Sequence, residues 1–204
     1  MNISIIGYGM MGHEVEKIAK GKGINVVSII DLIGSGANFK VINKESLQNV
    51  DVCIDFTEPD AVVGNIRQIA KFKKNIVVGT TGWYDNIEEV KNIVKKSYIG
   101  FIYSSNFSIG VNIFLKIVDN AAKIINKIED YDIYGYELHF ASVRAGSIPG
   151  THVVGFDSSA DTIELKHIAR NREGFALGAL MAAEWIQNRK GFYSIEDMIS
   201  EIIK

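Results

Sequence analysis

A short apolar run, Asn2 to Ile6, leads straight into Gly7-Tyr8-Gly9-Met10-Met11-Gly12, and helical spacing (Val15, Ile18, Ala19) begins just beyond it. This order of strand, glycine turn and helix constrains the fold more than any other feature of the 204 residues. Gly7 permits a sharp turn, Gly9 lets backbone approach a pyrophosphate, and Gly12 allows the helix to pack closely on the strand. The helix mouth then offers unpaired N–H groups and a positive dipole end to an anion. A second β-branched run, Ile24 to Ile30, stops at Asp31, where an acidic side chain accepts hydrogen bonds from an adenosine ribose. Three structural glycines and a solvated aspartate would be the plainer reading, but the complete strand–turn–helix–strand–acid order favours a dinucleotide. A carboxylate there repels a 2′-phosphate, and the next residue is Leu32 rather than an arginine, so NADH is expected to be preferred over NADPH.

Further apolar runs predict strands over Val50–Phe56, Ile76–Val78 and Ile99–Tyr103, with helices over Asp60–Phe72 and Ile87–Val94. Pro59 suits the first turn of the former helix, and Asp60 is its candidate cap. Strands alternating with helices imply a parallel sheet with right-handed crossovers. The rhythm changes after Asn106. Ile109 to Ile128 reads as one amphipathic helix with Ile113, Ile117, Ala121, Ile124 and Ile128 on one face. Strand-like segments follow at Ile133–His139, Phe140–Ala145, His152–Phe156 and Thr162–Ile168, and their short connections imply an antiparallel sheet. Phe175–Gln187 is helical, followed by a short helical tail. The expected fold is α/β: a Rossmann-type doubly wound parallel sheet with a second, smaller α+β lobe containing an antiparallel sheet. The expected divisions are a dinucleotide-binding domain over 1–106, a substrate and oligomerisation lobe over 107–171, and C-terminal helices over 172–204 that return to the first domain.

Composition narrows the partners. A formal net charge of −2 argues against a dedicated nucleic-acid binder, which carries a basic stripe. No segment reaches the roughly 18–20 apolar residues of a membrane span, and the N-terminus lacks the basic run and cleavage site of a signal peptide. Cys53 is the single cysteine, so no disulfide framework or cysteine-based zinc site is expected, and a cytoplasmic setting fits. His152 and His167 lack the i+4 histidine or cysteine partner of a metal site, and structural or substrate-contact roles suit them better. Trp83 and Trp185 read as packing residues, while Arg170 and Arg172 could face cofactor phosphates or solvent.

Two later turns sit at strand ends, where doubly wound sheets bind ligands. Gly79-Thr80-Thr81-Gly82 is either a surface for a flat nicotinamide or a tight turn with a helix cap, and Asn106 in Ser104-Ser105-Asn106-Phe107 either bonds a carboxamide or caps the long helix.

Taken in order, the glycine turn, Asp51-Val52-Cys53-Ile54-Asp55-Phe56-Thr57-Glu58-Pro59, Val78-Gly79-Thr80-Thr81-Gly82 and Asn106-Phe107-Ser108-Ile109-Gly110-Val111-Asn112 resemble dihydrodipicolinate reductase of lysine biosynthesis. Arg144-Ala145-Gly146-Ser147-Ile148-Pro149-Gly150-Thr151-His152, Glu164 to His167 and Arg172 to Gly178 extend the likeness over nearly the whole chain. The resemblance implies an NAD(H)-dependent reductase, with NADP(H) left open as a second cofactor, in which Gly7, Tyr8, Gly9, Met10, Met11, Gly12, Asp31, Gly79, Thr80, Thr81, Ser104, Ser105, Asn106 and Phe107 contact the dinucleotide. It also implies a small dicarboxylate substrate, a place in diaminopimelate and lysine biosynthesis, and a homotetramer joined through the antiparallel sheet. The family's catalytic segment, Glu-x-His-His followed by a lysine and a Pro-Ser-Gly-Thr loop, is only begun here. Glu137-Leu138-His139 matches its start, Phe140 takes the place of the second histidine, and the lysine and loop are missing. His139 is therefore the catalytic candidate, an imidazole being suited to proton donation near neutrality. Arg144, His152, Lys166, His167 and Arg170 are the other cations near by in sequence, and Gly150-Thr151 is a substitute for the lost Gly-Thr in holding a substrate carboxylate. A divergent imino- or amino-acid dehydrogenase and a non-catalytic dinucleotide-binding homologue are the competing readings.

Overall fold

The computed structural model describes residues 1–34, 36–125, 127, 138–143, 150–157 and 161–203, with backbone alone at 138–143 and 157. Two compact units divide the chain: Met1–Phe107 with Phe175–Lys204, and Ser108–Gly174.

The first unit is built on six parallel strands, β1 (Asn2–Ile6), β2 (Asn25–Ile30), β3 (Val52–Asp55), β4 (Asn75–Val78), β5 (Gly100–Tyr103) and β9 (Gly191–Ser194), in the order β2-β1-β3-β4-β5-β9. The chain runs from β1 outward to β2 and then crosses back to β3, so the strand order reverses between β1 and β3. Helices α1 (Met10–Gly21), α2 (Pro59–Lys71) and α3 (Ile87–Ser97) make the crossovers. Val62, Ile66 and Ile69 of α2 and Val90 and Val94 of α3 pack with Cys53, Ile76, Val78 and Phe101 of the sheet in one buried cluster. Strands buried on both faces read as continuous apolar runs, which is why they were legible. Pro59 opens α2, but its N-cap position is Glu58, without a side-chain cap bond; Asp60 lies in the first turn and does not cap it. Its carboxylate still favours that helix end through the dipole.

The C-terminal segment differs from the expected helical tail. After α5 (Glu173–Ile186) the chain lays down β9 as the sixth strand, then α6 (Ile195–Ile202), which starts with a Ser194/Asp197 capping box. Four residues are too few to show a period, so β9 is invisible to pattern reading. Asn75 fixes this return: its Nδ2 donates to the Ile186 and Gln187 carbonyls at 2.8 Å, and its Oδ1 accepts from the Gly100 N–H at 2.8 Å. Gly100 has no room for a side chain, since a Cβ would stand 2.4 Å from the Arg189 carbonyl oxygen.

The second unit packs α4 (Ile109–Ile125) on an antiparallel sheet of β6 (Leu138–Val143), β7 (Thr151–Asp157) and β8 (Thr162–Ile168), in that order. The expected strand break between His139 and Phe140 is absent, because β6 pairs continuously with β7 from Leu138 to Val143. The expected extensions at 133–137 and 144–145, and Ile128 at the end of the helix, lie outside the described residues. The buried face of α4 is also not the expected one. Phe114, Val118, Ala121, Ala122 and Ile125 pack around Val154, Phe156 and Leu165, whereas Ile113, Ile117 and Ile124 are 45%, 49% and 62% exposed. A helix apolar on two sides offers two self-consistent stripes, and only the sheet chooses between them. No described helix is long and apolar enough to cross a membrane.

Candidate cofactor site

Four turns stand side by side at the carboxyl edge of the parallel sheet, because each continues the strand ladder by one bond. Gly7 N–H donates to Ile30 O at 2.9 Å, Phe56 N–H to Ile6 O at 2.9 Å, Gly79 N–H to Asp55 O at 2.9 Å and Ser104 N–H to Val78 O at 3.2 Å. With neighbouring strands about 4.8 Å apart, the row from β2 through β1, β3 and β4 to β5 spans about 19 Å. An elongated ligand of two linked nucleotides fits such a row, laid across the point where the strand order reverses.

Each glycine of the first turn has a distinct physical reason. Gly7 is at φ +86°, and a Cβ there would stand 2.7 Å from Phe56 O and 2.9 Å from Thr57 N, so β1 and β3 approach at the switch point only without a side chain. A Cβ on Gly12 would lie 2.3 Å from Gly7 O. Gly9 has open space where its side chain would be, caps α1 without a side-chain bond, and is followed by no acidic residue in the first turn. Its neighbours Met10, 71% exposed, and Met11, half-buried, belong to the same helix mouth. These residues fit a diphosphate, whose charge would be met by first-turn N–H groups.

Asp31 lies at the end of β2 with both oxygens engaged. Oδ1 accepts from Ile33 N–H at 2.8 Å and Gly34 N–H at 2.6 Å, and Oδ2 accepts from Tyr8 N–H at 2.6 Å. Bonds from Gly34 and Tyr8, then Ile33, with Lys40 near by, hold its carboxyl below the usual range, so it stays ionised at neutral pH. One acceptor position remains on Oδ2, enough for one ribose hydroxyl. Tyr8 links this loop to α1: its hydroxyl donates to Glu16, which pushes the phenol up to about 12, and its ring meets His13 at 3.9 Å.

Sequence reasoning found the turns but not what holds them. Asp55 is fully buried, with Oδ1 accepting from Thr57 N–H (2.8 Å) and Thr57 Oγ1–H (2.6 Å), and Oδ2 from Asn65 Nδ2 (2.9 Å). Burial pushes this carboxyl up, against the pull of those three donors. Thr57 O accepts in turn from Thr80 Oγ1 at 2.6 Å, and Thr80 O accepts from Trp83 Nε1 at 2.9 Å. Trp83 thus packs, as expected, and also ties down the Gly79–Gly82 turn. Phe56 covers Gly79 so closely that a Cβ there would meet its ring at 2.1 Å. Thr81 is exposed at the tip of this turn. In the β5 turn Ser104 Oγ accepts from Asn106 N–H at 2.9 Å and donates to Asn106 O at 2.8 Å, with Ser105 exposed and Phe107 buried. A carboxylate, a threonine and an asparagine spaced 55, 57 and 65 across a strand end and the following helix were the available signal.

In the second unit, β6 pairs His139 with Gly155; Glu137 and Arg144 lie outside the described residues. Gly150, at φ +148°, accepts from Ala169 N–H at 3.0 Å, and Thr151 begins β7. His152 and His167 are cross-strand partners with rings 5.6 Å apart, each near Phe114 of α4, and a Cβ on Gly110 would meet His167 Nε2 at 2.8 Å. They fill the seam between sheet and helix. Lys166, Arg170 and Arg172 are exposed. Among the described residues no group of three or more His, Cys, Asp or Glu is placed to hold a metal ion. Cys53 is buried in β3, which pushes its thiol up and leaves it unreactive.

Comparison with known proteins agrees along the whole length. A family model described as dihydrodipicolinate reductase, N-terminus, matches residues 1–107, and one described as dihydrodipicolinate reductase, C-terminus, matches residues 134–199. A 4-hydroxy-tetrahydrodipicolinate reductase of Christiangramia forsetii is 32% identical over 246 aligned positions that cover 100% of both chains. One of Thermosipho africanus is 32% identical over 228 positions, covering 98% of this chain and 99% of its own. Alignments longer than 204 residues mean that these relatives carry segments this chain lacks. In fold, a dipicolinate-bound dihydrodipicolinate reductase from a Paenisporosarcina species superposes with a TM-score of 0.70 at 17% identity, covering 97% of this chain and 98% of that one. With both halves of one family's pattern matched in order and relatives aligned end to end, the chain belongs to the dihydrodipicolinate reductase family.

Proposed function

We propose that the chain reduces 4-hydroxy-tetrahydrodipicolinate with a nicotinamide dinucleotide, in the cytoplasm, as a step of diaminopimelate and lysine biosynthesis. The observation that carries this reading is the row of strand-end turns from Asp31 to Ser104, with the α1 helix mouth, free of any side-chain cap, after β1 in that row. Gly7, Tyr8, Gly9, Met10, Met11 and Gly12 hold the diphosphate, Asp31 orients the adenosine ribose, and Gly79, Thr80, Thr81, Ser104, Ser105, Asn106 and Phe107 orient the nicotinamide end. When bound, the nicotinamide would supply a hydride to the ring carbon at which the 4-hydroxyl is lost, and that hydroxyl leaves with the one proton as water. The chain's own chemistry is then to hold a dicarboxylate and deliver one proton. His139 is the proton donor by its place in the Glu137-Leu138-His139 match, and Gly150 and Thr151 hold a substrate carboxylate. The protein works as a homo-oligomer, a tetramer by family likeness, joined through the antiparallel sheet. Among the described strands β6 and β8 are its outer ones, and Ile163 and Ile168 of β8 are more than half exposed.

The test is NADH oxidation by the purified protein on enzymatically generated dihydrodipicolinate. Turnover is expected, and His139→Ala should lower kcat about 100-fold or more with NADH affinity unchanged. Full turnover in that variant would remove His139 from the chemistry while leaving the reductase. The missing lysine and Pro-Ser-Gly-Thr loop favour one second reading, a non-catalytic dinucleotide-binding homologue, which tight NADH binding without turnover would establish.

A further inference from the structure

We propose a second anion site on this chain, at the amino edge of the parallel sheet, that takes a purine nucleoside di- or triphosphate. A cavity of about 210 Å³ opens there between the end of α3 and the start of β9, lined by Lys91, Val94, Lys95, Tyr98, Lys190 and Phe192. The strand-end turns described above lie at the opposite, carboxyl edge, so the two sites can be filled together. Gly191 N–H donates to Ile99 O at 2.9 Å, which brings Lys190 alongside Tyr98, and Lys190 Nζ donates to Asn75 Oδ1 at 3.1 Å. Phe192 stacks on Phe101 with ring centroids 5.0 Å apart, and Lys91 Nζ lies 5.8 Å from the Phe192 centroid.

Two features of this cavity cost the free chain stability. Lys91 and Lys95 stand four apart on one face of α3, where like charges repel. Tyr98 ends α3 in the left-handed region, at φ 54° and ψ 49°, a position that favours glycine and penalises a bulky side chain. Its side chain is 75% exposed, so packing does little to offset that strain. The helix dipole accounts for Lys95 in the last turn, but not for Lys91 a turn earlier, Lys190 on another segment, or the tyrosine. Lys91 shares its charge with Glu88 Oε1 at 2.7 Å on the surface, whereas among the described residues Lys95 and Lys190 meet no carboxylate within ion-pair distance. An anion supplies what these groups lack. Lysines are compact point charges that suit the spread charge of a phosphate chain, while a carboxylate is better matched by the planar fork of arginine. The exposed Tyr98 ring is a platform on which a base stacks, and Val94 and half-buried Phe192 give the cavity an apolar wall. A net charge of −2 and a cavity of this size favour one nucleotide over a nucleic-acid strand.

Calorimetric titration of the full chain with GTP tests this, with NADH at saturating concentration so that the second site is the one read. One GTP per chain is expected to bind. Lys95→Gln and Lys190→Gln should each weaken it by about tenfold, the loss of one hydrogen bond to a charged group. Tyr98→Gly should weaken GTP by about tenfold through lost stacking, while its thermal midpoint stays level or rises because glycine relieves the left-handed residue. Tyr98→Phe should retain GTP, and Lys22→Gln, at the far end of the same sheet edge, should leave it unchanged. NADH affinity should be unaltered in every variant. Normal GTP binding by Tyr98→Gly, or equal weakening in Lys22→Gln, would overturn the inference. Inorganic triphosphate binding as tightly as GTP, tighter binding of a single-stranded oligonucleotide, or no GTP binding at millimolar concentration would also overturn it. Each of these outcomes leaves the cofactor reading standing.

Discussion

Gly12→Ala is expected to cut NADH affinity at least 100-fold in a chain that still folds. The added Cβ would stand 2.3 Å from Gly7 O and 3.3 Å from Tyr8 Cδ2, so the obstacle is backbone, not a side-chain tip that could swing away. The turn cannot retreat either. Gly7 is held by its bond to Ile30 O, and its own Cβ direction is blocked by Phe56 O at 2.7 Å. The mouth of α1 must therefore move, and overpacking of this kind costs about 1–3 kcal/mol, which a domain of this size survives. Binding is affected more, because a misplacement of about 1 Å in a positioning element can cost about 100-fold. Gly9→Ala is the control: nothing lies within 4 Å of its Cβ, so its thermal midpoint should match the wild type while its affinity falls by direct obstruction of the ligand. Thermal unfolding beside calorimetric titration separates the two. Unchanged affinity in both variants would mean that the diphosphate lies elsewhere.

Asp55→Ala should be the most destabilising single change at the site. It strips an acceptor from Thr57 N–H, Thr57 Oγ1 and Asn65 Nδ2 at a position with no exposed surface. Each orphaned buried donor costs about 1–3 kcal/mol, though not additively, so a loss of about 3 kcal/mol or more is expected. At about 2–4 °C per kcal/mol, the thermal midpoint should fall by about 6–12 °C. Loosening Thr57 also releases the Thr80 hydroxyl, so NADH affinity should fall together with stability. Asp55→Asn keeps an oxygen for Thr57 and can pair its amide with a reoriented Asn65, so its cost should be near 1 kcal/mol. The pH dependence has a definite sign. Burial raises the folded-state value of Asp55 above its unfolded value of about 3.9, so the native state keeps a proton that the unfolded chain releases. Stability relative to Asp55→Asn is therefore highest below about pH 4 and declines as pH rises through the folded-state value. A gap that widens with pH would show that the three donors outweigh burial.

The parts of this fold legible in sequence are those where one physical demand dominates. Gly7 and Gly12 are required by a turn and a close approach of backbone that leave no room for a Cβ. Fully buried strands such as Ile3–Ile6 announce themselves as apolar runs. Where two arrangements satisfy the same local rule, the sequence does not choose. The two apolar stripes of α4 are equivalent until the sheet covers Phe114, Val118 and Ile125. Gly191–Ser194 is too short to show a period and becomes a strand only because Asn75 anchors the end of α5 beside β4 and β5. Lys40 is nine residues from Asp31 in sequence and a neighbour in space only because Phe39 pairs with β2. The Asp55–Thr57–Asn65 tie was written in the chain as a motif, but its work is to hold the β3 and β4 turns in line, and that depends on depth of burial.

Calorimetric titration of the purified protein with NADH decides whether the strand-end turns hold a dinucleotide. One dinucleotide per chain should bind with micromolar affinity and be displaced by excess NADPH, and Asp31→Asn should weaken it by about tenfold through loss of a charged acceptor. Absence of any heat or fluorescence change with either dinucleotide at millimolar concentration would contradict the account.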